Sequence, residues 1–264
     1  MDSKSIKYPV YIISKGRWEN PITAKYFLKE NVPFKIAIEP QELDDYKKTI
    51  PEKNILVLPF SNLGLGSYPA RNYCWDDSIK NGFKKHWVFD DNIYFIVKFI
   101  KGIRRKQSVS AVNAIMNAEL FFDKYKKIAL AGFNYIYFAT KNTAKPFYFN
   151  THVYSSILIT NSIPYRWRLK YNEDVDLCLQ ALNDGWNTIL LNIYLIKKVS
   201  TVEMLKGGNQ TELYQGNKAE KKLLKAKSLE AVWPQYVETR VRFGRIHHYV
   251  NWKKHFKQPL KRNE

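Results

Sequence analysis

His86-Trp87-Val88-Phe89-Asp90-Asp91-Asn92 is a short apolar run that stops on two carboxylates and an amide. An apolar run of this length reads as a buried strand. A strand that delivers acids at its C-terminal end can hold a divalent cation against a diphosphate. Asp90, Asp91 and Asn92 offer hard oxygen ligands, which suit Mg²⁺ or Mn²⁺. The chain around them is strongly basic, with a formal charge of +19. An acidic pocket in a basic protein points to two anionic substrates, one bridged by metal and one held directly by Lys and Arg.

Working back towards the N-terminus, strand and helix signals alternate. Tyr8 to Ile13 is a near-continuous apolar run that ends in the polar turn Ser14-Lys15-Gly16-Arg17. Asn20-Pro21 is a cap and first-turn signal, so Pro21 to Glu30 is predicted helix. Phe34 to Glu39 and Asn54 to Phe60 are predicted strands, with a short polar helix over Pro40 to Lys48. Gly64 and Gly66 mark a loop, and Pro69 to Lys80 is the helix that leads to the acidic strand. This rhythm predicts an α/β fold with a mixed, mostly parallel sheet flanked by helices. Such sheets bind ligands beyond the carboxyl ends of their strands. The Ser14 to Arg17 turn, the Gly64 loop and Asp90 to Asn92 all fall at that edge.

Beyond the acidic run the pattern is less regular. Gly102 to Gln107 reads as a basic loop and Ser108 to Tyr125 as a long amphipathic helix. Ile128 to Ala131, Tyr135 to Ala139, Tyr148 to Tyr154, Ile157 to Ile159 and Thr188 to Leu191 are predicted strands. Glu173 to Leu182 is predicted helix, opened by Glu173, Asp174 and Asp176, where the helix dipole favours negative charge. Past Gly207-Gly208-Asn209, a candidate lid, the chain reads as loop and basic helix. Residues 1–200 are therefore expected to form one α/β unit, with 1–100 and 101–200 as its two halves. Residues 201–264 form a basic C-terminal extension.

Composition narrows the partners. There are 43 Lys and Arg against 24 Asp and Glu, and 15% of residues are aromatic. That balance points first to nucleic acid and next to an anionic membrane surface. Interleaved Tyr, Trp and Phe suit single-stranded or flipped bases. Cys74 and Cys178 are far apart, and neither has a His beside it in sequence. They read as free thiols in a reducing compartment, which argues against a zinc site or a thiol nucleophile. No apolar run is long enough to span a bilayer. The N-terminal residues carry no signal-peptide pattern, so the expected location is cytoplasmic.

Tyr8-Pro9-Val10-Tyr11-Ile12-Ile13-Ser14-Lys15-Gly16-Arg17, Tyr68-Pro69-Ala70-Arg71-Asn72, Phe89-Asp90-Asp91-Asn92 and Asn172-Glu173-Asp174 occur in that order. Together they resemble the TET-associated glycosyltransferases of bacteriophages, of the GT-A fold. The resemblance covers about the first two-thirds of the chain. It implies sugar transfer from a UDP-sugar, UDP-arabinose or UDP-glucose, to 5-hydroxymethylcytosine in phage DNA, in the cytoplasm of an infected bacterial host. Asp90, Asp91 and Asn92 then resemble the Asp-x-Asp motif that holds Mn²⁺ or Mg²⁺ on the donor diphosphate. Asn92 departs from that motif's closing Asp. Glu173-Asp174 resembles the motif that carries the catalytic base, with Asp174 favoured and Glu173 second. The resemblance makes 1–200 the catalytic domain, with 1–100 as its donor half and 101–200 as its acceptor half, and Ser14, Lys15, Arg17, Arg71 and Asp90 fall where the family binds its donor. A late His, His247 or His248, is the candidate additional metal ligand, with His248 preferred. Arg104, Arg105, Arg166, Trp167, Arg168 and Arg245 are the candidate DNA contacts.

Other readings compete. A non-catalytic DNA-binding protein would have no use for the acidic clusters, because carboxylates repel phosphate. A GT-A enzyme with a polysaccharide or lipid-linked acceptor should show a membrane-facing apolar or amphipathic face, and none is evident. A metal nuclease lacks its expected Asp and Glu-x-Lys arrangement.

Overall fold

Tyr11 and Ile12 lie on opposite faces of the first strand, yet both are buried. That is what a continuous apolar run provides in a sheet covered on both sides. The computed structural model describes residues 5–100, 105–140, 145–199, 207–208, 218–242 and 244–263. Strand β1 (Val10–Ile13) pairs in parallel with β2 (Lys35–Ile38) and β4 (Lys85–Asp90), and β2 pairs with β3 (Ile55–Val57). Helices α1 (Ile22–Lys29), α2 (Leu43–Lys47) and α3 (Tyr68–Lys80) lie between these strands in sequence. Ile13 stands opposite Asp90 in the β1–β4 register. The polar turn after β1 therefore sits beside the acidic end of β4.

Two residues, Asp91 and Asn92, link β4 to β5 (Ile93–Ile100). Next come β6 (Arg105–Ser108), α4 (Ala111–Phe122), β7 (Ile128–Tyr135), β8 (Phe147–Phe149), β9 (Ser156–Thr160), α5 (Glu173–Asn183) and β10 (Asn187–Lys198). Ten strands form one mixed sheet in the order β3-β2-β1-β4-β9-β7-β10-β5-β6, with β8 added alongside β10. The sheet is parallel through β1 to β4, but β9 runs antiparallel to both β4 and β7. Among the described residues, no helix is long and apolar enough to cross a membrane.

Several elements differ from the sequence expectation. Part of the expected basic loop, Arg105 to Gln107, is strand, because β5 offers it a free edge to pair with. The expected strands Ile128 to Ala131 and Tyr135 to Ala139 resolve into the single β7, and the chain turns after Tyr135. β10 runs seven residues past the expected end at Leu191. The C-terminal segment holds more than a basic helix. Helix α6 (Lys218–Val232) is followed by the hairpin β11 (Val237–Arg242) and β12 (Arg245–Val250), then by α7 (Trp252–His255).

The main core packs Ile12, Ile36, Trp87, Phe89 and Phe133 against α1 and α4. Each such buried side chain contributes roughly 1.5–3 kcal/mol. A separate cluster joins Val175, Leu179 and Leu182 of α5 to Leu229, Trp233, Val237, Val250 and Phe256. It holds the C-terminal helix and hairpin against the helix that opens on Glu173 and Asp174.

Candidate active site

The strand ends line a cleft of about 790 Å³. On one side stand the acids of β4. Asp90 Oδ1 accepts from Arg71 Nη2 at 2.8 Å, and Asp90 Oδ2 accepts from Lys198 Nζ at 2.6 Å. Burial alone would raise the Asp90 carboxyl, but the charges of Lys198 and Arg71 outweigh it and hold it well below the usual carboxylate range. Asp91 Oδ1 accepts from Arg17 Nη1, and its Oδ2 accepts from Ser14 Oγ at 2.8 Å. Burial pushes the Asp91 carboxyl up against the pull of Arg17 and Ser14.

Arg71 joins the two acidic motifs. Its Nε donates to Ser67 Oγ at 3.0 Å, and Ser67 Oγ donates to Glu173 Oε1 at 2.9 Å. The guanidinium lies 4.8 Å from the Trp167 ring centroid, a cation–π contact. Its Nη1 is buried with no partner. A buried guanidinium donor left over in a cleft suits an anionic ligand.

Asp174 occupies the other side. Asn172, in left-handed backbone with φ 54°, starts α5 and donates through Nδ2 to Lys225 O at 2.7 Å. Ser155, beside Asp90, also has positive φ, at 58°. Such backbone outliers persist where surrounding structure holds them, often at functional sites. Asp174 Oδ2 lies 3.0 Å from His152 Nε2, an ion-pair approach. The His152 ring stacks on Trp252 at 6.1 Å with 10° between planes. Burial would raise the Asp174 carboxyl, but His152, followed by Lys225 and Arg71, keeps it well below the usual range. Glu173 moves the other way, raised by burial and by the charge of Asp174 against the pull of Arg71. Asp174 is thus the carboxylate of the pair held ionised. His248, on β12, also lines the cleft, and burial followed by the charge of His152 lowers its pKa to about 4. It is neutral at pH 7.

The cleft thus has an acidic floor reached by Lys15, Arg17, Arg71 and Lys198, and a rim that includes Lys170, Lys222, Lys225 and Arg245. The sequence profile of the TET-associated glycosyltransferase family matches residues 8–208, which include both acidic motifs. The chain belongs to the TET-associated glycosyltransferase family. No curated protein matches it. Among solved structures, it is similar to a protein described as a nucleotide-diphospho-sugar transferase from Desulfovibrio desulfuricans G20. The two are 10% identical, the match covers 70% of this chain and 79% of that one, and the TM-score is 0.39. The expected mixed α/β architecture and glycosyltransferase class are borne out.

In this TET-associated glycosyltransferase, Ser14, Lys15, Arg17, Arg71, Asp90, Asp91, Asn92, Glu173, Asp174, His248 and Arg245 come together at one cleft. Sequence reasoning missed Lys198 and His152. It also placed one DNA contact, Trp167, where the structure does not allow it. Trp167 is 1% exposed and packs under Arg71, so it has no face to offer a base. Arg168 is committed to Asp176, with Nη2 3.0 Å from Oδ1. Arg166 lies over the Trp75 ring at 4.6 Å, with its side chain partly exposed. Arg105 contributes its backbone to β6, and Arg104 lies outside the described residues.

The residues present do not fit the expected divalent-cation site. Both oxygens of Asp90 and both of Asp91 already accept from protein donors. Asn92 Nδ2 donates to Val199 O at 3.0 Å, and Asn92 Oδ1 is buried with no hydrogen-bond partner. No group of three or more His, Cys, Asp or Glu side chains is arranged to hold a metal among the described residues, and His248 joins none. A divalent cation on these carboxylates would lie against the positive charges of Arg71, Lys198 and Arg17, which already neutralise them.

Of the candidate lid, Gly207 and Gly208 rest on the first turn, and Asn209 lies outside the described residues. Gly208 N donates to Lys15 O at 2.7 Å, and Arg17 Nη2 donates to Gly207 O at 3.3 Å. Gly207 has φ +83°, and a Cβ there would meet Gly16 O at 2.4 Å. Gly207→Ala is therefore expected to break this contact and loosen Arg17, at a strain of about 1–3 kcal/mol. Thermal unfolding should show a lower Tm. A Tm unchanged within about 1 °C would show that the contact of Gly207 with the first turn is not strained by a Cβ.

Proposed function

We propose that this glycosyltransferase moves a sugar from a nucleoside-diphosphate donor, a UDP-sugar, to the hydroxymethyl group of 5-hydroxymethylcytosine in phage DNA. The observation that carries the reading is the pairing, in one cleft, of a cationic cradle around Arg71 with an ionised carboxylate, Asp174. Arg71, Arg17, Lys15 and Ser14 hold the donor's diphosphate and nucleoside in this reading. Asp174 takes the proton of the acceptor hydroxyl as its oxygen attacks the anomeric carbon. His152 keeps Asp174 ionised and orients it, and Glu173 ties the base to Arg71 through Ser67. The rim of Lys170, Lys222, Lys225 and Arg245 supplies the phosphate contacts that a DNA acceptor requires. Residues 1–100 supply most of the donor side, 101–200 the base and Lys170 of the rim, and 201–264 the rest of the basic rim.

The reading is tested by nucleotide release. Protein with UDP-arabinose or UDP-glucose is mixed with DNA carrying either 5-hydroxymethylcytosine or plain cytosine, and UDP is measured. Release that requires the hydroxymethylated DNA is expected. Release with both DNAs alike, or only with a saccharide acceptor, would sink the DNA reading.

The role of His152 gives a pH prediction. Asp174 is depressed, so the base stays ionised below the usual carboxylate range and the acid limb of kcat/KM lies there too. His152→Asn removes the interaction that most lowers Asp174, so the Asp174 pKa rises. The acid limb should shift to higher pH, with activity lost earlier on acidification. A pH profile in the variant that overlays the wild type would separate His152 from the base.

A further inference from the structure

The cation that faces Asp90 belongs to the chain itself. β10 pairs antiparallel with β5, with Ile196 opposite Ile96 and Lys197 opposite Phe95, and the register then slips so that Lys198 stands opposite Ile93. Such bulges recur beside active sites, where they re-aim a side chain. Here two residues separate Ile93 from Asp90, so the end of β10 is carried to the acidic end of β4. Lys197 lies 5.5 Å from the Phe95 ring centroid, whereas Lys198 Nζ reaches Asp90 Oδ2 at 2.6 Å and Ser155 Oγ at 2.9 Å. The neighbouring oxygens complete the pattern: Asp90 Oδ1 takes Arg71, and Asp91 takes Arg17 and Ser14. Three of these four partners are cations. A divalent ion added here would have to displace an ammonium or a guanidinium, or sit against its charge.

We propose that Lys198 takes the place of a divalent metal on Asp90, and that the enzyme neutralises its leaving diphosphate with resident cations, so that sugar transfer needs no added metal. This rests on the reading that the donor is diphosphate-linked. In the reaction, the bond from the anomeric carbon to the diphosphate oxygen breaks and its electron pair stays on the phosphate. The acceptor oxygen forms the new bond, and its proton passes to Asp174. The charge that builds on the phosphate faces Lys198, Arg71 and Arg17, fixed donors of the kind that stabilise a leaving phosphoryl group.

The test uses the full-length protein and three measurements. Free Mn²⁺ is followed by electron paramagnetic resonance during titration of wild type and Lys198→Met. UDP binding is measured by calorimetry in EDTA. UDP release from a UDP-sugar is measured with EDTA or with Mn²⁺. Wild type is expected to bind no Mn²⁺ tightly, with or without UDP, to bind UDP in EDTA, and to turn over within about twofold in the two conditions. Lys198→Met is expected to lose about 10²–10³-fold in kcat, with Lys198→Arg retaining more than Lys198→Met. Stoichiometric Mn²⁺ binding by wild type, or activity abolished by EDTA and restored by Mn²⁺, would overturn the proposal. Failure of UDP to bind or turn over in any condition would instead remove the donor reading on which it stands. The Mn²⁺ titration separates these outcomes, because it reports on the acidic site whichever donor is used.

Discussion

Asp174→Asn is expected to lower kcat for transfer to the DNA acceptor by about 10²–10⁴-fold, the usual contribution of a positioned general base. The amide keeps the shape of the side chain and removes the ability to take a proton. Binding of UDP should change little, because the donor-side cations make their contacts through Asp90, Asp91 and Ser67. Binding of DNA should hold or tighten, since one negative charge leaves a cleft rimmed by lysines. Single-turnover rates with saturating donor isolate the chemical step. Glu173→Gln provides the control. Glu173 accepts from Ser67 and lies 3.8 Å from Arg71 Nε, on the donor side of the network. Its replacement should raise the donor KM more than it lowers kcat. If the Gln variant loses the chemical step and the Asn variant keeps it, the assignment of the base is reversed.

Both acidic motifs were legible in the sequence because each is a local pattern. The apolar run of β4 breaks abruptly into Asp90 and Asp91, and α5 opens on Glu173 and Asp174 after a polar stretch. Arg71 was legible for a similar reason, in the first turn of a helix after a Gly-containing loop. Lys198 carries nearly the same pattern as Asp90, an apolar strand ending in charge, but Asn192 interrupts the run and hides it. In the fold Asn192 is buried and satisfied, accepting from Asn134 Nδ2 at 2.8 Å and donating to Lys145 O at 2.9 Å. A buried polar residue with partners of its own lets the strand continue where hydropathy suggests that it stops. His152 has no local pattern at all. It reaches Asp174 because the chain after β8 folds back on α5, a contact that only tertiary structure creates. The C-terminal hairpin was hidden by its charge. Arg240, Arg242 and Arg245 read as a basic helix, whereas the signal for a turn was Gly244, which has φ 67°.

Asp176→Ala should destabilise the protein far more than either change at Glu173 or Asp174. This third acid of α5 is 0% exposed and faces away from the cleft chemistry. Its Oδ1 accepts from Trp233 Nε1 at 2.7 Å and Arg168 Nη2 at 3.0 Å, and its Oδ2 accepts from Gln180 Nε2 at 2.8 Å and Arg168 Nε at 3.0 Å. One carboxylate therefore fastens the C-terminal helix, through Trp233, to the helix that carries the base. Removing one partner of a buried charged pair costs about 3–5 kcal/mol. Arg168 is half-exposed and regains some water, so the lower end of that range, about 3 kcal/mol, applies. For a chain of this size the loss corresponds to a fall in Tm of roughly 6–12 °C. Thermal unfolding of the variant checks it. Activity should fall through the unfolded fraction and the loosened C-terminal rim, with weaker DNA binding at temperatures where Asp174→Asn still binds normally. A Tm within about 2 °C of wild type, less than 1 kcal/mol on the same scale, would mean that apolar packing of Leu229, Trp233 and Val250 alone holds the extension to α5. The same acidic turn would then serve the proposed chemistry without anchoring the basic rim.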